Sequence, residues 1–348
     1  MSIKEIHYTI CPVGNASFIA ANKGWIKAAL RKYGVVARLL QSLPRSKWGA
    51  HYDYQDDILF REGGNIPPIW AKANGAKVVL IGLTFLTQKS YILVREDSPI
   101  ESVEDLKGRK LGIPSRPKFS YIDFHQITAQ HGFTTALAVR GISLNTVQFV
   151  ELPVDETYIA STADKKSNLG KIEAVKLENG EVDAIYAGGT FAQKLLATGK
   201  YKVIFELTAN PQLISPINNA YPNILTVSEK LASEAPEIVV AYVKQLILAS
   251  EWAKNHRLDV LKLFAEQTHG TIEQVNASVD NDFNKKLAPE LSPKGLAALE
   301  TQKRFLFDHG YIQKDFAIEK WADNRFLKSA WQEINETKSE HDHVEGLV

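Results

Sequence analysis

The sequence predicts an α/β protein of two lobes, with a central cleft between them and a helical C-terminal third. Three observations carry that expectation. Short β-branched and aromatic segments alternate with segments of helical period from Ile6 to about Leu207. The alternation recurs on both sides of a break at Asp97-Ser98-Pro99, so it describes two α/β units. After an extended segment at 224–227 it stops, and long amphipathic stretches follow. The 348 residues give room for two domains at roughly 150 residues each.

Residues 6–10 read as the first strand, stopped at Cys11-Pro12 because proline lacks a backbone donor. Gly14 and Asn15 signal a turn and a helix N-cap. Ile19, Ile26 and Leu30 then share one face of a helix expected over 16–33, with Gly34 as its stop. Residues 35–40 read as a strand, 66–74 as a helix stopped by Gly75, and 77–83 as a buried strand. This β-α-β-α-β order predicts a parallel sheet. In the second unit, 91–94 reads as a strand. Ser102 and Asp105 form a capping-box-like pair, and a strand follows at 110–113. Residues 119–139 read as helical with an interruption near Gly132. Strands at 146–152, 182–186 and 201–207 enclose helices at 172–179 and 191–197. Helices are expected over 234–255, 257–267, 271–281 and 293–309. The expected lobes are 1–94 with 225–348, and 95–224; the polar tail 338–348 is expected to be frayed.

Composition narrows the function. The chain is 45% hydrophobic and 23% charged, which is ordinary for a globular protein. Lys and Arg number 41 against 40 Asp and Glu, for a net charge of +1. No global basic field points to nucleic acid or to an anionic membrane. The longest apolar run, 78–86, is too short to span a bilayer. The N-terminus reads as a strand with no signal-peptide core, so a soluble, cytoplasmic, monomeric chain is expected if Met1 is its natural start. One cysteine, Cys11, excludes an internal disulfide and a cysteine-rich zinc site. The nine histidines form no HExxH pattern. The pairs His125/His131 and His341/His343 read as a helix surface and a solvated tail, and no metal is expected.

Three stretches bear chemistry. Cys11 ends the first strand just before a helix N-terminus, where ligands and anions sit in parallel sheets. A lone cysteine is also an ordinary small core residue. His51-Tyr52-Asp53-Tyr54-Gln55 is a polar aromatic segment, which by itself reads equally as a surface loop. Arg61-Glu62-Gly63-Gly64-Asn65-Ile66-Pro67-Pro68 joins an arginine, able to grip an oxyanion with two donors, to a Gly-Gly turn and a helix start. Alone it is a helix-entry turn beside a solvated arginine just as well.

Together these stretches resemble the 2′-hydroxybiphenyl-2-sulfinate desulfinase family of bacterial dibenzothiophene desulfurisation. That family has a cysteine in a Cys-Pro-Val turn, and a histidine ten residues before an Arg-x-Gly-Gly-x-Ile-Pro-Pro run; Cys11, His51 and Arg61 match. The likeness extends through Val94–Ile100, Gly180–Tyr186 and Trp252–His256. Asp105-Leu106-Lys107-Gly108 and Val182-Asp183-Ala184 belong to a wider group, the periplasmic substrate-binding proteins for sulfonates. Thr9 stands where the family has serine, and Ala187–Phe191 lacks its tryptophan-rich character.

The resemblance implies a periplasmic-binding-protein-like (type II) fold and hydrolytic cleavage of the C–S bond of an aryl sulfinate, releasing sulfite. It implies no metal or organic cofactor, and a small-molecule sulfinate as the partner. Cys11 and His51 would be catalytic. Arg61 with Gly63 and Gly64 would bind the sulfinate oxygens, and Phe133 would help form the ring pocket. Whether Cys11 attacks sulfur or delivers a proton to the ring stays open. The alternatives are a non-catalytic solute-binding protein for a sulfonate, a sulfinate or a thiamine-precursor-like anion, and a cytosolic ligand sensor. No DNA-binding segment supports the sensor.

Overall fold

A computed structural model describes residues 3–154, 171–209 and 218–345, with side chains of the last helix described to residue 337. Its ten strands, in chain order, are β1 (Glu5–Ile10), β2 (Val36–Leu39), β3 (Leu59–Gly63), β4 (Val78–Thr84), β5 (Ser90–Arg95), β6 (Lys110–Ser115), β7 (Gln148–Pro153), β8 (Ala184–Gly188), β9 (Tyr201–Glu206) and β10 (Asn223–Ser228). They form two five-stranded sheets, ordered β2-β1-β3-β10-β4 and β7-β6-β8-β5-β9.

The chain divides into two compact units. The first comprises Met1–Leu86, Pro222–Val260 and Asn284–Val348; the second comprises Thr87–Tyr221 and Leu261–Phe283. The boundaries differ from the expected lobes in two places. β5 belongs to the second unit because it pairs with β8 and β9. Residues 261–283 also belong there, since the helix Ile272–Ser278 packs on the helix Gly189–Leu196.

Neither sheet is wholly parallel. β1 runs parallel to β2 and β3, as the local alternation requires, but β10 lies antiparallel between β3 and β4. In the second sheet β6 is parallel to β7 and β8, and β5 is antiparallel to β8 and β9. Alternation reads only local crossovers, and β10 enters its sheet from more than a hundred residues downstream. β3 is buried along its whole length. Ile6, Leu59, Phe60, Leu80 and Ile224 are wholly buried, each contributing roughly 1.5–3 kcal/mol by leaving water. Phe60 stacks on Tyr242 of the helix Pro236–Lys254, with ring centroids 4.0 Å apart.

Several helices differ from expectation. The one expected over 16–33 is two, Ala16–Asn22 and Trp25–Arg31, because Gly24 takes φ 74 and turns the chain. Ile19, Ile26 and Leu30 remain fully buried. The helix Phe124–Val139 begins later than expected, where the Asp123 side chain accepts the Gln126 N–H, and it runs unbroken through Gly132. Glycine is needed there for space, since a Cβ would lie 2.4 Å from the Tyr186 ring. The segment expected as one helix over 234–255 is Glu229–Glu234 followed by Pro236–Lys254, with proline opening the second. Beyond the last helix signalled by sequence lie Ile318–Trp321 and Arg325–Glu345. The tail expected to fray is therefore helical to Glu345, as the lack of Gly or Pro from Lys338 to Glu345 permits. Residues 346–348, and the side chains of His341 and His343, lie outside the described residues. No described helix is long and apolar enough to cross a membrane.

Candidate active site

The carboxyl end of β1 and β3 builds a site within the first unit. Their parallel register sets Thr9 beside Arg61 and Ile10 beside Glu62. One residue further on, the Cys11 N–H donates to the Glu62 carbonyl at 2.9 Å, which places the thiol against Gly63. The approach is so close that a Cβ on Gly63 would lie 2.1 Å from Cys11 Sγ. Side chains alternate along a strand, so Thr9, Cys11 and Arg61 share one face. The loop after Cys11 is held by Asn15, whose Nδ2 donates to the Cys11 carbonyl at 3.4 Å while its Oδ1 caps the Phe18 N–H at 2.9 Å. The helix that follows begins at Ala16, five residues past the thiol.

His51 stands on a single helical turn, Ala50–Asp53. Its Nε2 lies 3.4 Å from Cys11 Sγ, and its Nδ1 lies 2.9 Å from Thr9 Oγ1. Gln41 Nε2 donates to that same Thr9 oxygen at 2.9 Å. Burial, reinforced by the Arg61 guanidinium, holds the His51 imidazole well below its ordinary value of 6.5. The ring is therefore neutral at pH 7.

Arg61 is only 1% exposed. Its Nε donates to the His51 carbonyl at 3.0 Å and its Nη1 to the Gly64 carbonyl at 2.9 Å. Its Nη2 lies 3.6 Å from Cys11 Sγ and 3.5 Å from His51 Nε2. No carboxylate pairs with it among the described residues. The carbonyls fix the plane of the guanidinium and leave its charge uncompensated. A buried cation of that kind carries a desolvation cost that an incoming anion would offset. Behind Arg61, the Tyr54 hydroxyl donates to Thr226 Oγ1 at 2.7 Å, and Thr226 donates to the Arg61 carbonyl at 3.3 Å. Burial pushes the Tyr54 phenol up to about 12, so it stays protonated.

The structure thus brings Cys11, His51, Arg61, Gly63 and Gly64 together. Gly63 makes room for the thiol, and the Gly64 carbonyl orients the arginine. Phe133 is a correction. It is fully buried in the core of the second unit, 6.2 Å from the Phe149 ring, because its face of the helix Phe124–Val139 packs on the sheet. The second unit does contain a cavity of about 300 Å³. Phe124, His125, Tyr186 and Phe191 line it, together with Gly188 and Gly189 from the stretch that departs from the family pattern. Burial and the Arg116 charge push His125 down to about 3, so this imidazole is neutral too. Sequence reasoning did not assign Gln41 or Tyr54. Thr9 was legible as the same-face neighbour of Cys11, whereas Gln41 carries no motif. No group of three or more His, Cys, Asp or Glu able to hold a metal occurs among the described residues.

Comparison with known proteins agrees with this architecture. A "2′-hydroxybiphenyl-2-sulfinate desulfinase" of Rhodococcus erythropolis is 28% identical over 93% of this chain and 92% of its own. A crystal structure of a DszB mutant in complex with biphenyl-2-sulfinic acid superposes with a TM-score of 0.78, at 24% identity, over 95% of this chain and all of its own. The periplasmic aliphatic sulphonate-binding protein SsuA from Escherichia coli gives a TM-score of 0.64 at 16% identity, covering 93% of each chain. The fold is therefore α/β of the periplasmic-binding-protein type, here with a thiol, an imidazole and a guanidinium at the end of one sheet. The chain belongs to the NMT1/THI5-like family, whose model matches residues 66–257. Cys11, His51 and Arg61 all precede the matched segment, so family membership carries the scaffold and leaves the chemistry to the site.

Proposed function

We propose that this protein is a desulfinase, cleaving the C–S bond of an aryl sulfinate such as 2′-hydroxybiphenyl-2-sulfinate to release sulfite. The observation that carries the reading is the buried Arg61 guanidinium, which lacks a carboxylate partner among the described residues and converges with a neutral imidazole on the chain's single thiol. A guanidinium has five N–H donors; Arg61 Nε and Nη1 are held by the His51 and Gly64 carbonyls, while Nη2 meets Cys11 Sγ and His51 Nε2 at the longer distances of 3.6 and 3.5 Å. The Nη2 edge is the one a sulfinate oxygen would engage, in the planar-fork geometry that arginine suits. The likeness to a desulfinase over nearly the whole chain supports the same choice.

The reaction balances without a redox partner. Aryl sulfinate and water give arene and hydrogen sulfite; the C–S bond and a water O–H bond break, a C–H and an S–O bond form, and the C–S electron pair leaves with carbon, so the formal oxidation of sulfur is matched by reduction of the ring carbon. Cys11 serves either as the nucleophile on sulfur or as the proton donor to the ring carbon, and His51 orients it. Sulfite release from 2′-hydroxybiphenyl-2-sulfinate, followed with the wild-type protein and Cys11→Ser, tests the reading. Wild type is expected to turn over, while Cys11→Ser binds the sulfinate through Arg61 and releases none. The sulphonate-binding relative of the same fold favours one other outcome: a wild type that binds sulfinate without releasing sulfite, with Cys11→Ser binding equally well, is a solute-binding protein.

A further inference from the structure

We propose that the Glu62 side chain is a positioning residue for Cys11: its carboxyl grips the far end of the turn that carries the thiol, while its own backbone grips the near end. Glu62 follows Arg61 on β3, and consecutive strand residues face opposite ways. Arg61 faces the thiol, and Glu62 faces the helix Ala16–Asn22. The Glu62 carbonyl accepts the Cys11 N–H at 2.9 Å. Its Oε2 accepts the Ser17 N–H at 3.1 Å, and its Oε1 accepts the Thr84 hydroxyl at 3.4 Å. Both grips on the turn come from backbone N–H groups, which can only donate. One residue of β3 therefore holds both ends of the connection from Cys11 to Ser17 and ties it to β4. Asn15 closes the same connection from inside, between the Cys11 carbonyl and the Phe18 N–H.

Glu62 is only 1% exposed, and no cation pairs with it among the described residues. Burial raises its carboxyl above the ordinary value, while the Ser17 and Thr84 bonds pull it back. The Tyr242 phenol lies close by on the helix Pro236–Lys254 and is itself pushed up by burial, so it stays protonated. Oε2 can accept the Ser17 N–H whether the carboxyl is ionised or not. The grip therefore depends on reach and not on charge. Glutamine has the same reach and keeps an acceptor oxygen, whereas aspartate keeps the charge and is one methylene too short. A role for the charge itself would rank those two replacements the other way. The consequence falls on sulfur, which sits 3.4 Å from His51 Nε2 and 3.6 Å from Arg61 Nη2 and is packed against Gly63. A loosened turn shifts the thiol relative to all three at once.

The catalytic consequence rests on the desulfinase reading, but the first test needs no turnover. Amide hydrogen exchange, read by NMR, compares Cys11 and Ser17 with His7 on the same strand as Cys11, whose N–H donates to the Ile58 carbonyl at 2.8 Å. In Glu62→Asp, exchange at Cys11 and Ser17 is expected to rise about tenfold relative to His7, the size of one lost hydrogen bond. In Glu62→Gln the ratios should stay within about twofold of wild type. A general loss of stability would raise all three amides together and leave the ratios unchanged. Ser17→Pro deletes the gripped N–H itself, in a first helical turn where proline is tolerated, and should loosen Cys11 alike even where Glu62→Asp does not fold. Sulfite release from 2′-hydroxybiphenyl-2-sulfinate should fall about tenfold in kcat in Glu62→Asp and hold in Glu62→Gln. KM should hold in both, because Arg61 keeps its bonds to the His51 and Gly64 carbonyls. An unchanged Cys11-to-His7 ratio in Glu62→Asp or Ser17→Pro overturns the proposal, as does a Glu62→Gln protein that loosens as much as Glu62→Asp. A loosened Cys11 with kcat unchanged overturns it too. A wild type that releases no sulfite removes the desulfinase reading alone, and the exchange ratios still decide whether Glu62 holds the turn.

Discussion

Gly63→Ala adds one methyl group at the point where β3 touches the thiol. The new Cβ would lie 2.1 Å from Cys11 Sγ and 2.5 Å from Cys11 Cβ. Because the clash includes the Cys11 Cβ, rotating the thiol does not relieve it, and β1 or β3 must shift. Sulfur has to retreat by roughly 1 Å to reach even a tight contact, a displacement that costs about a hundredfold when reacting groups are aligned. Gly63 also sits at φ 158, at the edge of the region L residues avoid, which adds strain. Overpacking of this kind destabilises by about 1–3 kcal/mol, which a chain of this size survives. The expected result is a folded protein with sulfite release down by about a hundredfold and a modestly lower midpoint in urea. Sulfinate affinity should fall far less than turnover, because Arg61 keeps its bonds to His51 and Gly64. A Gly63→Ala protein that turns over at the wild-type rate would show that the thiol's place against β3 is irrelevant to the chemistry.

Arg61→Lys keeps a positive charge but offers a single ammonium in place of a planar fork already anchored to two carbonyls. Sulfinate KM, or Kd in Cys11→Ser, is expected to rise by more than about tenfold, and an unchanged value would make Arg61 a purely structural cation. The His51 imidazole is held below its ordinary 6.5, so folding stability from this group is fully present above pH 6.5 and declines as pH falls from there toward the folded value. Over that window an unfolded His51 binds a proton the folded one refuses, which costs about 1.4 kcal/mol per pH unit. Urea midpoints at pH 7.5 and 5.5 should therefore drop more in wild type than in His51→Gln; equal drops would refute the burial argument.

The sequence disclosed those features whose causes are local. Proline after Cys11 ends β1, so that strand end was visible, whereas β3 was not read as a strand and its Arg61–Gly64 end was legible only as a Gly-Gly turn before a helix. The helix Ile66–Ala73 was visible for the same reason, with proline in its first turn. What escaped depends on pairing across the chain. The position of β10 beside β3 places Thr226 behind Arg61, and no pattern in residues 223–228 announces that neighbour. Gln41 reaches Thr9 only through the register of β2 on β1. Phe133 was misread because an aromatic side chain on a helix suits a pocket and a core equally, and only the packing of that helix on its sheet decides. The break at Gly24 and the continuity at Gly132 show the same limit. Both glycines sit in helical patterns, but one has open space around it and turns the chain, while the other is required by a ring against its Cα.

The scaffold itself cannot separate an enzyme from a binding protein, since a sulphonate-binding protein and a desulfurization enzyme both superpose on this chain. What a binding protein has no use for is a half-buried thiol in contact with both the Arg61 cation and a neutral imidazole, at a strand end where a glycine has been emptied of its side chain to admit the sulfur. The close fit of Cys11 against Gly63 fixes where that sulfur sits. It makes the pair, more than the arginine, the place where the desulfinase reading stands or falls.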